Sequence, residues 1–190
     1  MRNCIILIAI LVASQFATAQ NFPTIERKGF TASVGLGLGA ISIKDSRTGA
    51  NFDEGKFTLS FPDLKLGYML NQKMAVVLNT TGTIYEYEGF DRSFDAFMPT
   101  FQYWVADRWW LNAGVGLAMD MPALYDIKRD QNDDFNFGHA VGVGAGFEVY
   151  RHKNCTMDVK LQALAGEVKL KNNGNRDAAS LTIGIAFNWY

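Results

Sequence analysis

LTIGIAFNWY, residues 181–190, has two unlike faces. Leu181, Ile183, Ile185, Phe187 and Trp189 alternate with Thr182, Gly184, Ala186 and Asn188. A period of two places every large apolar group on one side of a β-strand and every small or polar group on the other. The pattern runs as far as Trp189 and Tyr190, where soluble domains more often carry a short polar tail. A strand with a wholly apolar side needs something apolar against it along its full length. The rest of the chain shows what that is.

The same alternation recurs along the sequence. Phe30, Ala32, Val34, Leu36 and Leu38 are separated by Thr31, Ser33, Gly35 and Gly37. Leu111, Ala113, Val115, Leu117 and Met119 are separated by Asn112, Gly114, Gly116 and Ala118. Val141, Val143, Ala145, Phe147 and Val149 oppose Gly142, Gly144, Gly146 and Glu148. Helical periodicity is nearly absent. Eight strands are predicted, near 30–43, 57–70, 74–87, 96–105, 109–119, 137–150, 156–168 and 178–190. Segments of about ten residues suit tilted strands that cross a bilayer. Short connections at 71–73, 106–108 and 151–155 alternate with longer polar ones at 44–56, 88–95, 120–136 and 169–177. That order matches short periplasmic turns and longer external loops. The fold class expected is all-β: an eight-stranded antiparallel up-and-down transmembrane β-barrel.

Two stretches interrupt the alternation. In FTLSFPDLKLGY the apolar phase passes from Phe57, Leu59 and Phe61 to Leu64, Leu66 and Tyr68, which calls for a bulge at Pro62-Asp63. In MAVVLNTTGTIYEY the expected outward set is Met74, Val76, Leu78 and Ile84, with Asn79, Thr81, Thr83 and Tyr85 inside.

The first nineteen residues, MRNCIILIAILVASQFATA, read as a signal peptide. Arg2 precedes an apolar run, and Ala17-Thr18-Ala19 forms a cleavage site, so the barrel domain is expected to span 20–190. The apolar run is too short for a membrane-spanning helix. Loss of Arg2 takes the formal charge from −1 to −2, which gives no basis for nucleic-acid binding. Cys4 leaves with the leader, so Cys155 remains alone and no intrachain disulfide is possible.

Aromatic residues collect at the predicted strand ends. Trp104, Trp109, Trp110 and Trp189 all fall at the end assigned to the periplasm, with Phe30, Tyr68, Tyr103, Phe147 and Tyr190 near the same level. Amphipathic rings favour a membrane–water boundary, so these nine are the expected interface aromatics. Phe57, Phe97 and Phe137 mark the opposite end.

The first strand GFTASVGLGLGA, LKLGYML before Asn71, LNAGVGLAM, AVGVGAGFEV and the terminal strand together resemble the small outer-membrane β-barrel proteins of the OmpA/OmpX-like, eight-stranded group. The resemblance covers the whole mature chain. It implies residence in the bacterial outer membrane, contact with outer-membrane lipid and lipopolysaccharide, and insertion by the barrel-insertion machinery through the C-terminal strand. It also implies a monomer. The usual insertion signal has its final aromatic on the outward face; here the in-phase residue is Trp189 and Tyr190 is out of phase. A soluble eight-stranded barrel would reverse the faces, and the glycine-rich face could not fill an oily interior.

Eight strands enclose a space about wide enough for side chains alone. The polar candidates for that lumen are Lys65, Asn112, Glu148, Asp158, Lys160, Gln162 and Glu167. Mixed charges in a narrow space pair with one another, since an isolated one costs several kcal/mol. A narrow pore, or a small ligand or lipid held in the glycine-lined lumen, is the alternative. The inward glycines could instead make room for Trp110, Tyr150 or Lys65.

An enzyme reading rests on His139 alone. Lipid A deacylases of the outer membrane carry a Ser two residues after such a His, and Val141 stands there instead. No nucleophile–base pair is legible, so no catalytic residue is expected. Asp130, Asn132 and Asp134 imitate the start of a calcium loop, but Phe135 replaces the glycine and Val141 the final Glu. No metal or cofactor is expected. The expected role is structural or surface-interacting, without catalysis, with a pore or binding barrel as the alternative and a lipid A-modifying enzyme third.

Overall fold

The computed structural model describes residues 24–46, 56–87, 89–123, 125, 135–171 and 174–190. The predicted leader, its cleavage after Ala19 and the acidic stretch 126–134 lie outside these residues. Eight strands follow in order: β1 (Gly29–Asp45), β2 (Lys56–Asn71), β3 (Met74–Tyr87), β4 (Phe90–Trp104), β5 (Trp109–Pro122), β6 (Asn136–His152), β7 (Cys155–Lys169) and β8 (Asn175–Trp189). Each pairs antiparallel with the next, and β8 returns to β1 from Ala32–Trp189 to Asp45–Arg176, closing the barrel. Closure leaves no strand edge unpaired.

The polarity is the reverse of a soluble protein's. Ile183, Val115 and Leu66 stand more than half exposed on the outer wall, while Thr182, Asn188, Lys65 and Asp158 are buried inside. A wall of this kind needs an apolar medium around it. The predicted phase of β3 holds, with Asn79, Thr81, Thr83 and Tyr85 buried and Val76 and Leu78 outward.

Two bulges shape the interior. In β1–β2 the register passes from Gly35–Asp63 to Gly37–Ser60, so Phe61 and Pro62 together face Leu36. This is the predicted irregularity, and it puts Thr58 and Ser60 on one side of it and Asp63 and Lys65 on the other, all inward. In β6–β7 the register slips between Glu148 and Tyr150. Glu148 and Arg151, an odd spacing apart, both turn inward because of it.

The strand ends differ from expectation at one rim. β4 begins at Phe90, so 88–95 is not a long loop; residues 88 and 89 alone join β3 to β4, with Gly89 at φ 83°. That positive φ suits glycine at a tight hairpin. The charges of DRSFD suggest a loop, yet Arg92 and Phe94 are both buried in strand phase. The β7–β8 connection likewise shrinks to 170–174, tied by Leu170 N donating to Gly174 O at 2.7 Å. The long connections at this rim are 46–55 and 123–135.

Candidate functional site: the lumen

The lumen is filled in successive layers. At the end carrying the short turns, the centre is Glu148, fully buried. Arg27, from the segment before β1, reaches in so that Nη2 donates to Oε1 and Oε2 of Glu148, each at 2.8 Å. Arg151 Nε donates to Oε2 and Trp104 Nε1 to Oε1, again at 2.8 Å. The Arg27 guanidinium also lies 4.8 Å from the Trp104 ring centroid and 5.9 Å from that of Tyr190. Arg27 N is held by Gln72 Oε1, and Arg27 and Arg151 both donate to the Asp107 carbonyl, so turn residues fix the charges in place. A carboxylate taken out of water survives only with such saturation. The segment before β1 therefore stoppers this mouth of the barrel.

The next layer is charged and neutral overall. Lys160 pairs with Asp63. Trp110 Nε1 donates to Asp158 Oδ2 at 2.6 Å, and Lys65 Nζ sits 4.1 Å above the Trp110 ring. Asn112 and Gln162 continue toward the middle. Gly146 and Gly142 are backed by opposing side chains: a Cβ on Gly146 would lie 2.2 Å from Cζ2 of Trp110, and one on Gly142 2.8 Å from Cε of Met98. Among the described residues, two small lumen cavities are of about 10 Å³ each, one bounded by Asn79, Asn112 and Gln162, the other by Ser33, Lys65 and Tyr190. Each has room for about one water.

Toward the loop end the interior becomes apolar, with Ile41, Ile43, Phe94, Met98, Leu164 and Val168 buried together. Set among them is a second ion-paired cluster. Arg176 Nη2 lies 2.7 Å from Asp45 Oδ2 and Nη1 2.6 Å from Asp120 Oδ2. Tyr85 donates to Asp120 Oδ1 at 2.7 Å, Arg92 Nε lies 3.3 Å from the same oxygen, and Arg176 stacks 4.3 Å over Tyr87.

Six of the seven expected lumen residues are inside: Lys65, Asn112, Glu148, Asp158, Lys160 and Gln162. Glu167 is not. In β7 the buried phase runs through Gln162, Leu164 and Val168, so Glu167 faces outward, opposite His139 on β6 and Asp177 on β8. Polar residues are admitted outside near a strand end, where the sequence offered no parity marker.

Among the expected interface aromatics, Phe30, Tyr68, Tyr103, Trp109 and Trp189 point outward, and Phe147 stacks on Trp109 with centroids 4.9 Å apart. Three belong inside instead. Trp104 and Trp110 are fully buried, and Tyr190 packs edge-on against Trp104 at 6.0 Å. The reason is phase: each is one residue from an outward aromatic, and each indole N–H has a buried carboxylate to meet. Tyr190, just beyond β8, has its phenol pushed well above its ordinary value, first by burial and then by Asp158 and Glu148, which keeps it neutral.

Sequence reasoning missed Arg27, Asp63, Arg92, Asp120, Arg151 and Arg176. Arg92, Asp120, Arg151 and Arg176 lie on strand ends within stretches whose composition reads as connections, Asp63 lies at the Pro62 bulge, and Arg27 precedes β1. Among the described residues, no group of three His, Cys, Asp or Glu is arranged to hold a metal ion. His139 is on the outer wall in register with Leu117 and Glu167.

No family model and no curated protein matches the chain. Solved structures do. Neisserial surface protein A is 16% identical with a TM-score of 0.54, over 83% of this chain and 96% of its own. Ail of Yersinia pestis is 18% identical with a TM-score of 0.46, over 83% and 99%. Outer membrane protein OprG of Pseudomonas aeruginosa is 13% identical with a TM-score of 0.44, over 88% and 99%. At such identities the likeness concerns the fold, and the fold of this chain is that of the small eight-stranded outer-membrane β-barrels.

Proposed function

We propose that this protein is an integral outer-membrane β-barrel whose role is structural or surface-interacting, and that it neither conducts solutes nor catalyses. The observation that carries the reading is the filled lumen, in which a stoppered mouth, a charge-paired middle and a loop half of apolar side chains around a second ion-paired cluster succeed one another. Among the described residues, lumen cavities of about 10 Å³ leave no path for a hydrated ion or metabolite. The apolar wall supports a bilayer as the surrounding medium, reached after export by the leader and insertion through β8, with the short turns in the periplasm. A single barrel leaves no strand edge to satisfy, which agrees with a monomer in contact with lipid and lipopolysaccharide. Surface contacts then fall to the loop end.

The test combines two measurements on mature protein. In the outer-membrane fraction, an unboiled sample should migrate faster than a boiled one on a denaturing gel. Reconstituted in planar bilayers, it should give no unitary current steps. A soluble periplasmic protein with no mobility shift would overturn the membrane reading. Reproducible steps would overturn the closed lumen.

A further inference from the structure

The outer wall is not evenly covered. A groove of about 550 Å³ crosses the wall from the short-turn ends of β4 and β5 to the middle of β6, β7 and β8. Its floor is Ala113, Ala145 and Ala163, and Phe101, Tyr103 and Leu161 stand along it. The register shows why a hollow forms there: Phe101, Ala113, Val143 and Ala163 lie in one cross-strand row, and Tyr103, Leu111, Ala145 and Leu161 in the next. Small side chains fall between large ones in both rows. The volume is that of a ligand pocket, for which about 300–1,000 Å³ is usual.

One row closer to the turns, Trp109 and Phe147 pack together with their rings tilted by 46°. The Arg108 guanidinium lies 4.6 Å from the Phe147 centroid, with Nε donating to the Glu148 carbonyl at 2.7 Å. An apolar trough, an aromatic pair and a fixed cation thus follow one another along the wall. The order matches an amphiphile with an apolar tail and an anionic head.

We propose that this groove binds a phospholipid of the adjoining leaflet, one acyl chain along Ala113, Ala145 and Ala163 and its phosphate at Arg108. In a bilayer, exchanging one lipid tail for another yields no hydrophobic gain, so a retained lipid must be selected by fit and by its head. The hollow supplies the fit and Arg108 the charge.

The inference rests on the membrane-spanning reading, and the experiment separates the two. Purified barrel in detergent is titrated with palmitoyl-oleoyl phosphatidylglycerol, or with the matching uncharged diacylglycerol, and observed by native mass spectrometry. One phosphatidylglycerol should stay bound through delipidation. Ala113→Leu with Ala163→Leu should weaken its binding about tenfold or more, and Arg108→Gln should weaken phosphatidylglycerol about tenfold while leaving diacylglycerol unchanged. Heat-modifiability of each variant shows that the barrel remains folded. An intact barrel that holds no phosphatidylglycerol overturns the inference alone. Retention of lipopolysaccharide instead, or a dimer that the groove variants abolish, overturns it as well. Absence of any heat-modifiable membrane form overturns the membrane reading first.

Discussion

Arg176 on β8 and Asp120 on β5 meet across the lumen, Nη1 to Oδ2 at 2.6 Å, although their strands are not neighbours. Arg176 also holds Asp45, so one guanidinium gathers two buried carboxylates from different walls. Replacing it by Met should leave both carboxylates without their shared cation and lower stability by about 3–5 kcal/mol. Urea unfolding in phospholipid vesicles reads the loss. Combining Arg176→Met with Asp120→Leu should cost less than the two single losses added together, because the charge that suffers is gone. Strict additivity would mean that the pair does not couple.

Arg27 makes its bonds from outside the strands, and Glu148 keeps Arg151 and Trp104 when it is removed. Arg27→Ala should therefore cost about 2 kcal/mol, the scale of hydrogen bonds to a charged group. Planar-bilayer recordings of this variant should stay silent, because the charge-paired middle and the packed loop half with its Arg176 cluster are untouched. Current steps in Arg27→Ala but not in the parent would make the stopper the whole seal.

Gly146 exists beside Trp110 because nothing larger fits. Gly146→Ala should destabilise by about 1–3 kcal/mol through overpacking. In a Trp110→Leu background the same substitution should cost much less, since the ring that it strikes is absent. Equilibrium unfolding of the four proteins of this cycle decides the matter, and an unchanged penalty would place the strain elsewhere.

Val115 is among the most exposed apolar residues of the wall. Val115→Arg should lower stability in phospholipid bilayers by about 2–4 kcal/mol if the site lies near the midplane, and Lys56→Arg at the start of β2 should change it little. Equal, small effects at both positions would be those of a water-exposed wall.

Strands β1, β6 and β8 were legible because their outward face is large and apolar and their inward face small, so the period of two is sharp. The bulge at Pro62 was legible because it reversed that phase within a few residues. β4 was not read to its full length. Arg92 spends its charge on Asp120 inside the barrel, and a buried ion pair looks in sequence like a solvated loop. The interior tryptophans were misplaced for a related reason. Trp109-Trp110 and Tyr103-Trp104 are adjacent pairs, so one member of each must face in, but composition does not say that Glu148 and Asp158 await the indoles. Glu167 shows the reverse error, a polar residue taken as inward where Val168 holds the inward phase. The groove on the wall depends on cross-strand register, which no single strand reveals.

The hairpin at Gly89 and the brief 170–174 link concentrate the remaining chain of that rim in two segments, 46–55 and 123–135. The first springs from β1 and β2, the second from β5 and β6, which stand on opposite sides of an eight-stranded ring. The roots of the two segments are therefore set across the ring from one another, at a separation fixed by the wall. Either stretch of sequence can lengthen, shorten or change its chemistry without moving the roots of the other.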